Sequence, residues 1–378
     1  MDTLTEWAKS LPPLHDFLPP ASPEAYIVLL SIFQYFPVVT TIQWLTPFFP
    51  QGKTSLPRSA LNFPGRYAWV CMESIGALNL LYTLFTAPSN FPGHEDGISS
   101  SGHLPTWHKL VACLYILHYL NRAIITPLFL APSMSPIHLI VTVSAMSFNY
   151  LNSTCLAGWL LGYGTPVLGS TAPLPPSPAK ATTQTAAPTH HYSPTKYLPY
   201  IGLILFFIGM YGNIRAEGTL FRLRREEVDK KQHSKKNDDD APPNNKNKYD
   251  KVYICPPPTG YFRSILYPHY VLEWLEWVGF LLIGFSITPA PSPSHPPSTF
   301  PSAATTSTLV LAPYYAPLAN LLMEKWGLSF PLPAIAFCVN VVATTAARAS
   351  WGRKWYVERF GEERVAGRGG FVPWCKWF

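Results

Sequence analysis

The sequence predicts an all-α fold, a polytopic membrane protein with seven transmembrane helices in one bundle. Three observations carry that reading. Charged residues make up only 13% of the 378 positions and hydrophobic ones 48%, whereas an ordinary soluble chain is about 25% charged. The apolar residues fall in runs long enough to cross a bilayer, which takes about 20 residues per helix. Lysines and arginines collect in alternate connections, as the positive-inside rule requires of a multi-pass chain. Mean hydropathy is only +0.09 because polar inserts dilute the apolar runs.

The elements follow in order. Residues 1–24 form a short lumenal segment without the basic start of a secretory signal, so the first apolar helix serves as its own insertion signal. The spans lie near 25–46, 67–87, 107–130 and 136–163, then near 197–214, 266–288 and 331–350. A further apolar patch, 308–323, contains two prolines and the pair Tyr314–Tyr315, and reads as interfacial or re-entrant. The Pro/Thr/Ala-rich stretch 164–196 separates helices 1–4 from a C-terminal region, 197–378, that holds helices 5–7. Two further inserts, the Lys/Asn/Asp-rich 226–252 and the Pro/Ser/Thr-rich 288–307, interrupt that region. Such compositions bury too little apolar surface to offset their ordering entropy, so all three are expected to be disordered. No internal repeat is present.

With seven spans, Arg222, Arg224, Arg225, Lys230, Lys231, Arg353, Lys354 and Arg359 share one side with the C-terminus. That side is then cytosolic and the N-terminus lumenal. The net charge of +7 is explained by this asymmetry, which leaves no signal for nucleic acid. The six cysteines are scattered without metal-ligand spacing, so no metal is expected. There is no phosphate-binding glycine loop, and GRGG at 367–370 reads as a flexible tail. Asn152–Ser153–Thr154 matches a glycosylation sequon but falls inside the fourth span, where it is inaccessible.

Ionisable residues inside spans are costly and mark function. Glu73 stands in the second span, His118, Tyr119 and Arg122 in the third, and Asn213, Arg215 and Glu217 at the end of the fifth. His269, Glu273 and Glu276 stand in the sixth, and Arg348 ends the seventh. The bland explanation is that Arg122, Arg215 and Arg348 snorkel from helix ends; Glu73, in mid-span, has no such escape. Most of these residues sit toward the cytosolic half of their helices. They outline one polar pocket suited to a phosphorylated, sugar-bearing ligand, with arginines for phosphates and carboxylates and amides for hydroxyls.

Five motifs then resemble the steroid 5α-reductase family, in order. PTGYFRSILYPHYVLEWLEWVG (258–279) resembles its sixth-helix element, and GMYGNIRAEGTLFRLR (209–224) resembles its Asn-x-x-x-Asp…Leu-x-x-Leu-Arg element. LHYLNRAIITPL (117–128) resembles its His-Tyr-x-x-Arg element, and PGRYAWVCMES (64–74) its Trp-x-x-x-Glu segment. ARASWGRKWYVERF…FVPW (347–374) resembles its C-terminal signature. The resemblance implies an NADPH-dependent reductase of the endoplasmic reticulum membrane. It would deliver hydride to the C=C of an α,β-unsaturated carbonyl in a 3-oxo-Δ4 steroid or related lipid, with no obligate protein partner. It also implies that Glu73 and Tyr119 hold the carbonyl oxygen, with Glu73 protonated or sharing a proton. Arg122, Asn213, Glu217, Arg224, His269, Glu273, Arg348 and Tyr356 would surround NADPH, and Glu276 would bond a neighbouring helix.

Departures from the pattern are visible. Met72 stands where glutamine is common, Glu217 replaces aspartate, His269 replaces asparagine, and Gly352–Arg353 stand where the family carries histidine. A polyprenol or enoyl-CoA reductase shares the scaffold. Membrane methyltransferases of the isoprenylcysteine and phospholipid type carry an Arg-His-Pro order that is absent from Tyr267–Pro268–His269. A seven-span receptor or scaffold would not gather acids and arginines at one membrane depth.

Overall fold

The computed structural model describes residues 11–18, 22–54, 56, 58–89, 104–163, 167–168, 196–235, 248–249, 252–288 and 309–377. Most of the expected inserts (169–195, 236–247 and 289–308) and residues 1–10 of the N-terminal segment lie outside that set.

The chain is a bundle of long helices. The first apolar run divides into α1 (Pro23–Phe33) and α2 (Phe36–Leu45). The break falls just before Pro37, which has no N–H to continue the helix. Gln34 fills the gap by using both ends of its amide. Its Nε2 donates to Val310 O at 2.8 Å, and its Oε1 accepts from Ala312 N at 2.8 Å. This clasp shows what the 308–323 patch becomes. Leu309–Val310 pairs with Val167–Leu168 as a two-residue parallel ladder, and Pro313–Lys325 follows as short turns rather than one crossing helix.

α3 (Gly65–Thr86) is fixed at its start by Arg66, which donates to Leu128 O (2.8 Å) and Ala131 O (3.0 Å). α4 (Thr106–Tyr119) continues through a π-helical stretch, Leu120–Leu130. Pro127 lies inside that stretch and removes one donor from the ladder, and the wider π register accommodates the loss. Arg122 therefore projects from a locally widened helix.

α5 (Leu139–Leu160) packs against α3 and α1, and α6 (Leu198–Lys235) packs along α7 (Pro268–Ile287). Gly202 and Gly279 make the second contact possible: a Cβ on Gly202 would lie 2.5 Å from Gly279 O, and one on Gly279 would lie 2.5 Å from Phe206 N. Backbones at that separation exclude any side chain, as in small-residue helix contacts within membranes. α8 (Leu332–Phe360) runs beside α7, with Trp274 Nε1 donating to Thr345 Oγ1 at 2.7 Å and Trp159 Nε1 tying α5 to Thr288 at 3.0 Å. The shared core holds Tyr115, Phe206, Trp277, Phe280 and Phe337. The outer faces carry exposed Val38, Ile42, Leu78, Phe85, Ile204 and Phe207. A soluble monomer seldom shows apolar patches of that extent.

Among the described residues, six helical runs are long and apolar enough to cross a membrane: Pro23–Leu45, Gly65–Thr86, Thr106–Leu130, Leu198–His233, Pro268–Ile287 and Leu332–Phe360. The sequence predicts seven. The difference is α5, which is a 22-residue helix within the bundle but carries buried Asn149, Asn152, Ser153 and Thr154. The sequon is accordingly sealed: Asn79 Nδ2 donates to Ser153 Oγ at 2.8 Å and to Thr154 Oγ1 at 2.9 Å.

Two other expectations change. α6 runs on through residues 226–235, expected as the start of an insert, and pairs Arg222 with Glu226 and Glu227 with Lys231, each one turn apart. At 38 residues it is about 57 Å long, against a hydrocarbon core of about 30 Å. The GRGG stretch is an ordered knot. Gly369 O and Gly370 O each accept at 2.9 Å from Leu266 N and Tyr267 N. Fully buried Arg368 donates to the carbonyls of Val365, Pro256, Phe262 and Arg364 at 2.7–3.1 Å. Composition reads three glycines and an arginine as flexible, whereas here the arginine satisfies carbonyls that would otherwise be buried without donors.

Candidate functional site

The site begins with helix periodicity. His118 and Arg122 are four residues apart on α4 and share a face. Glu273 and Glu276, three apart on α7, face them. Arg122 Nε lies 3.4 Å from Glu73 Oε2 on α3, and its Nη1 lies 3.4 Å from Glu273 Oε2. His118 Nδ1 is 2.8 Å from Glu276 Oε1, and its Nε2 is 3.8 Å from Glu273 Oε1. Glu276 thus bonds a neighbouring helix, as expected. All three acids are buried. Buried charges persist only when paired, and this network pairs acids from two helices with cations from a third.

Glu217 on α6 lies within electrostatic reach of Arg122, Glu273 and His118. Asn213 is half-buried one helical turn before it. His269, one turn before Glu273, packs its ring 4.4 Å from that of Tyr270. Tyr119 sits beside the network, and its phenol donates to Asn149 Oδ1 at 3.0 Å. Glu73 lies within electrostatic reach of Tyr119 and of Tyr115.

Trp69 connects the network to a cavity. Its Nε1 donates to Arg122 O at 3.0 Å, and its ring lies 5.4 Å from the Arg122 guanidinium carbon. The same tryptophan lines a cavity of about 260 Å³ together with Phe49, Tyr270, Arg348, Trp351 and Trp355, among others. Arg348 is the charged group in that lining. Its guanidinium lies 4.1 Å from the Phe49 ring centroid, and its Nε is buried without a hydrogen-bond acceptor among the described residues. A guanidinium that lies against an aromatic ring and lines a cavity suits an anionic or carbonyl-bearing ligand.

Two expected residues lie apart from the network. Arg224 donates to Ser133 O at 3.1 Å, to Ser133 Oγ at 2.6 Å and to Tyr249 O at 2.5 Å, pinning two loop segments together. Tyr356 is buried in a second cluster with Leu266, Tyr267, Ala349 and Val365, its ring 6.1 Å from that of Tyr267. The cluster also accounts for the histidine that the resemblance expects and the chain lacks. A Cβ on Gly352 would run into the Tyr267 hydroxyl and ring. Tyr267 thus fills the space of a side chain at 352, with Tyr356 and Tyr270 beside it. Arg353 turns instead to Glu362, at 2.9 Å.

Sequence reasoning missed Asn149 and the lining supplied by 43–54, and it met Trp69 only as part of the Trp-x-x-x-Glu segment, without a role. Asn149 and Asn152 carry a usable signal, the three-residue spacing of two amides in an apolar helix. The 43–54 lining has none, because its position depends on tertiary packing.

No protein-family model matches the chain. It is 30% identical over 268 residues, 70% of its length and 83% of the other protein's, to the uncharacterized protein C9.08c of Schizosaccharomyces pombe. It is 24% identical over 269 residues to the steroid 5-alpha-reductase DET2 of Arabidopsis thaliana, covering 69% of this chain and 79% of that protein. It is 22% identical over 351 residues to the DET2 protein of Solanum lycopersicum, covering 92% and 95%. The chain therefore belongs to the family of the Schizosaccharomyces pombe protein C9.08c and is a distant relative of the plant steroid 5-alpha-reductases.

Proposed function

We propose that the protein is an NADPH-dependent reductase of a multi-pass membrane, acting on the C=C of an α,β-unsaturated carbonyl in a steroid or related lipid. The observation that carries this reading is the Arg348 cavity, joined through Trp69 to the Arg122 network. Aromatic walls and a guanidinium with a free donor fit a heteroaromatic base and a phosphate or carboxamide. At about 260 Å³ the cavity falls just below the usual range of ligand pockets, roughly 300–1,000 Å³, so it takes one moiety of a dinucleotide and the rest extends along the bundle. α5 counts as a crossing helix in this reading, which restores seven spans. The basic end of α6 lies in the cytosol with the C-terminus, in the endoplasmic reticulum membrane.

NADPH, when bound, supplies the hydride that goes to the β-carbon of the substrate. Arg348 holds an anionic or amide group of the cofactor. Arg122 and Glu273, with Glu217, Asn213 and His269 along the same wall, orient it. Arg224 and Tyr356 act at a distance, Arg224 by pinning the loop segments at Ser133 and Tyr249 and Tyr356 by packing against Tyr267, which lines the cavity. As the β-carbon is reduced, negative charge develops on the substrate's carbonyl oxygen, and a preplaced donor there lowers the barrier. Tyr119 offers its phenol hydrogen, and Glu73, held by Arg122, borders the same space.

The test is anaerobic NADPH oxidation in membranes against a panel of 3-oxo-Δ4 steroids, enoyl-CoAs and polyprenols, beside a thermal shift with NADPH. Oxidation coupled to one panel class, with a stabilising shift, is the expected result. No shift and no oxidation with any member overturns the reading, and methyl transfer from S-adenosylmethionine would put the methyltransferase in its place.

A further inference from the structure

We propose that Asn149 on α5 is a positioning residue that aims the Tyr119 phenol. This rests on the reading above, in which Tyr119 donates to the substrate's carbonyl.

Asn149 is 3% exposed and uses both ends of its amide. Nδ2 donates to Met72 O at 2.7 Å, and Oδ1 accepts from the Tyr119 hydroxyl at 3.0 Å. A backbone carbonyl only accepts, so the bond to Met72 fixes which way the amide points. Oδ1 must then face Tyr119, and the phenol must donate to it. Met72 precedes Glu73, so one side chain ties the phenol to the backbone that carries the other carbonyl-side residue. A second amide–phenol pair lies one turn on with the opposite polarity: Asn152 Nδ2 donates to the Tyr115 hydroxyl at 3.1 Å, and the Tyr115 and Tyr119 rings lie 4.6 Å apart. Space for the pair comes from Gly76, where a Cβ would meet the Tyr115 hydroxyl at 2.8 Å and a Tyr119 ring carbon at 3.6 Å.

A phenol has one hydrogen to donate. In this structure Asn149 takes it, and a substrate carbonyl must draw it away. An amide oxygen suits that exchange because it is neutral and yields the hydrogen to an oxygen gaining charge. A carboxylate in its place would hold the hydrogen about twice as strongly and would lose the donor to Met72.

The experiment compares Asn149→Leu, Asn149→Asp, Tyr119→Phe and the Leu/Phe double variant in membranes. It uses the panel substrate that the wild type turns over and reads kcat, KM, pH profile and melting temperature. Asn149→Leu should lower kcat at least tenfold with KM for NADPH unchanged. The double variant should be no slower than Tyr119→Phe alone, because without a phenol hydrogen there is nothing to aim. Turnover by Asn149→Asp should fall as pH rises through ionisation of the new acid, where the wild type does not. Additive losses in the double variant, a wild-type pH profile for Asn149→Asp, or failure of every Asn149 variant to fold would each overturn the proposal. Wild-type turnover by Tyr119→Phe would instead overturn the role of Tyr119 itself.

Discussion

His118 Nδ1 and Glu276 Oε1 lie 2.8 Å apart across the α4–α7 interface, with Glu276 fully buried. The remaining carboxylate oxygen of Glu276 has no hydrogen-bond partner among the described residues. Removing the histidine would leave an uncompensated acid in the core. His118→Leu should therefore cost about 3–5 kcal/mol of stability, and pairing it with Glu276→Leu should recover most of that loss. Melting temperatures of the two single variants and the double variant check this.

Arg122 serves two acids at 3.4 Å each. Arg122→Met should lower the melting temperature more than Glu73→Gln does, because it strands two carboxylates and Glu73→Gln strands none. Arg122→Lys should restore only part of the loss, since a point-like ammonium cannot reach both acids as a planar fork does.

Glu73 tests the chemistry more directly. If its only task is to pair with Arg122, then Glu73→Ala lowers stability while the folded remainder transfers hydride normally. If it borders the carbonyl as proposed, Glu73→Ala lowers single-turnover transfer by about 10²-fold, and Glu73→Gln lowers it less. Measuring melting and single-turnover rate on the same preparations separates the two.

Arg348 and Arg224 should behave differently. Arg348→Ala removes the charged group from the cavity, so KM for NADPH should rise by a factor matching about 1.5–3 kcal/mol. Arg224→Ala releases Ser133 and Tyr249 and should increase proteolysis near those residues with a smaller change in KM.

Gly352 carries a packing prediction. Gly352→Ala should cost about 1–3 kcal/mol through overpacking, and Tyr267→Leu in the same chain should relieve it. Equal melting of Gly352→Ala and wild type would remove the packing explanation for the missing histidine.

Much of this was legible in the sequence because its physical signals are local. Apolar runs located the long helices and placed His118, Tyr119 and Arg122 together in the third. Charge cost in lipid singled out Glu73 and Glu273 before any contact was known. The rest is tertiary. Nothing in GRGG announces that Arg368 will satisfy four carbonyls, and nothing in 43–54 shows that it walls a cavity. The polar face of α5 reads from sequence as a poor sequon, because its partners Asn79, Met72, Tyr115 and Tyr119 lie far away in the chain.

The ion pairs between α4 and α7 also bear on how the protein is made. α1–α5 bring His118 and Arg122, while α6–α8 bring Glu217, Glu273 and Glu276. Helices gain little from hydrophobicity when they associate inside lipid, so early and late portions of the chain need another means of recognising each other during biogenesis. The late acids and the early cations provide it: Glu73 within the early portion meets only one side of Arg122, and Glu273 completes the pairing. A wrongly paired helix leaves an acid or a cation facing hydrocarbon, and the correct pairing is the one that neutralises both. On this view the same charges serve as a checkpoint for insertion before they serve a ligand, and a variant that spares chemistry can still be eliminated as a folding failure.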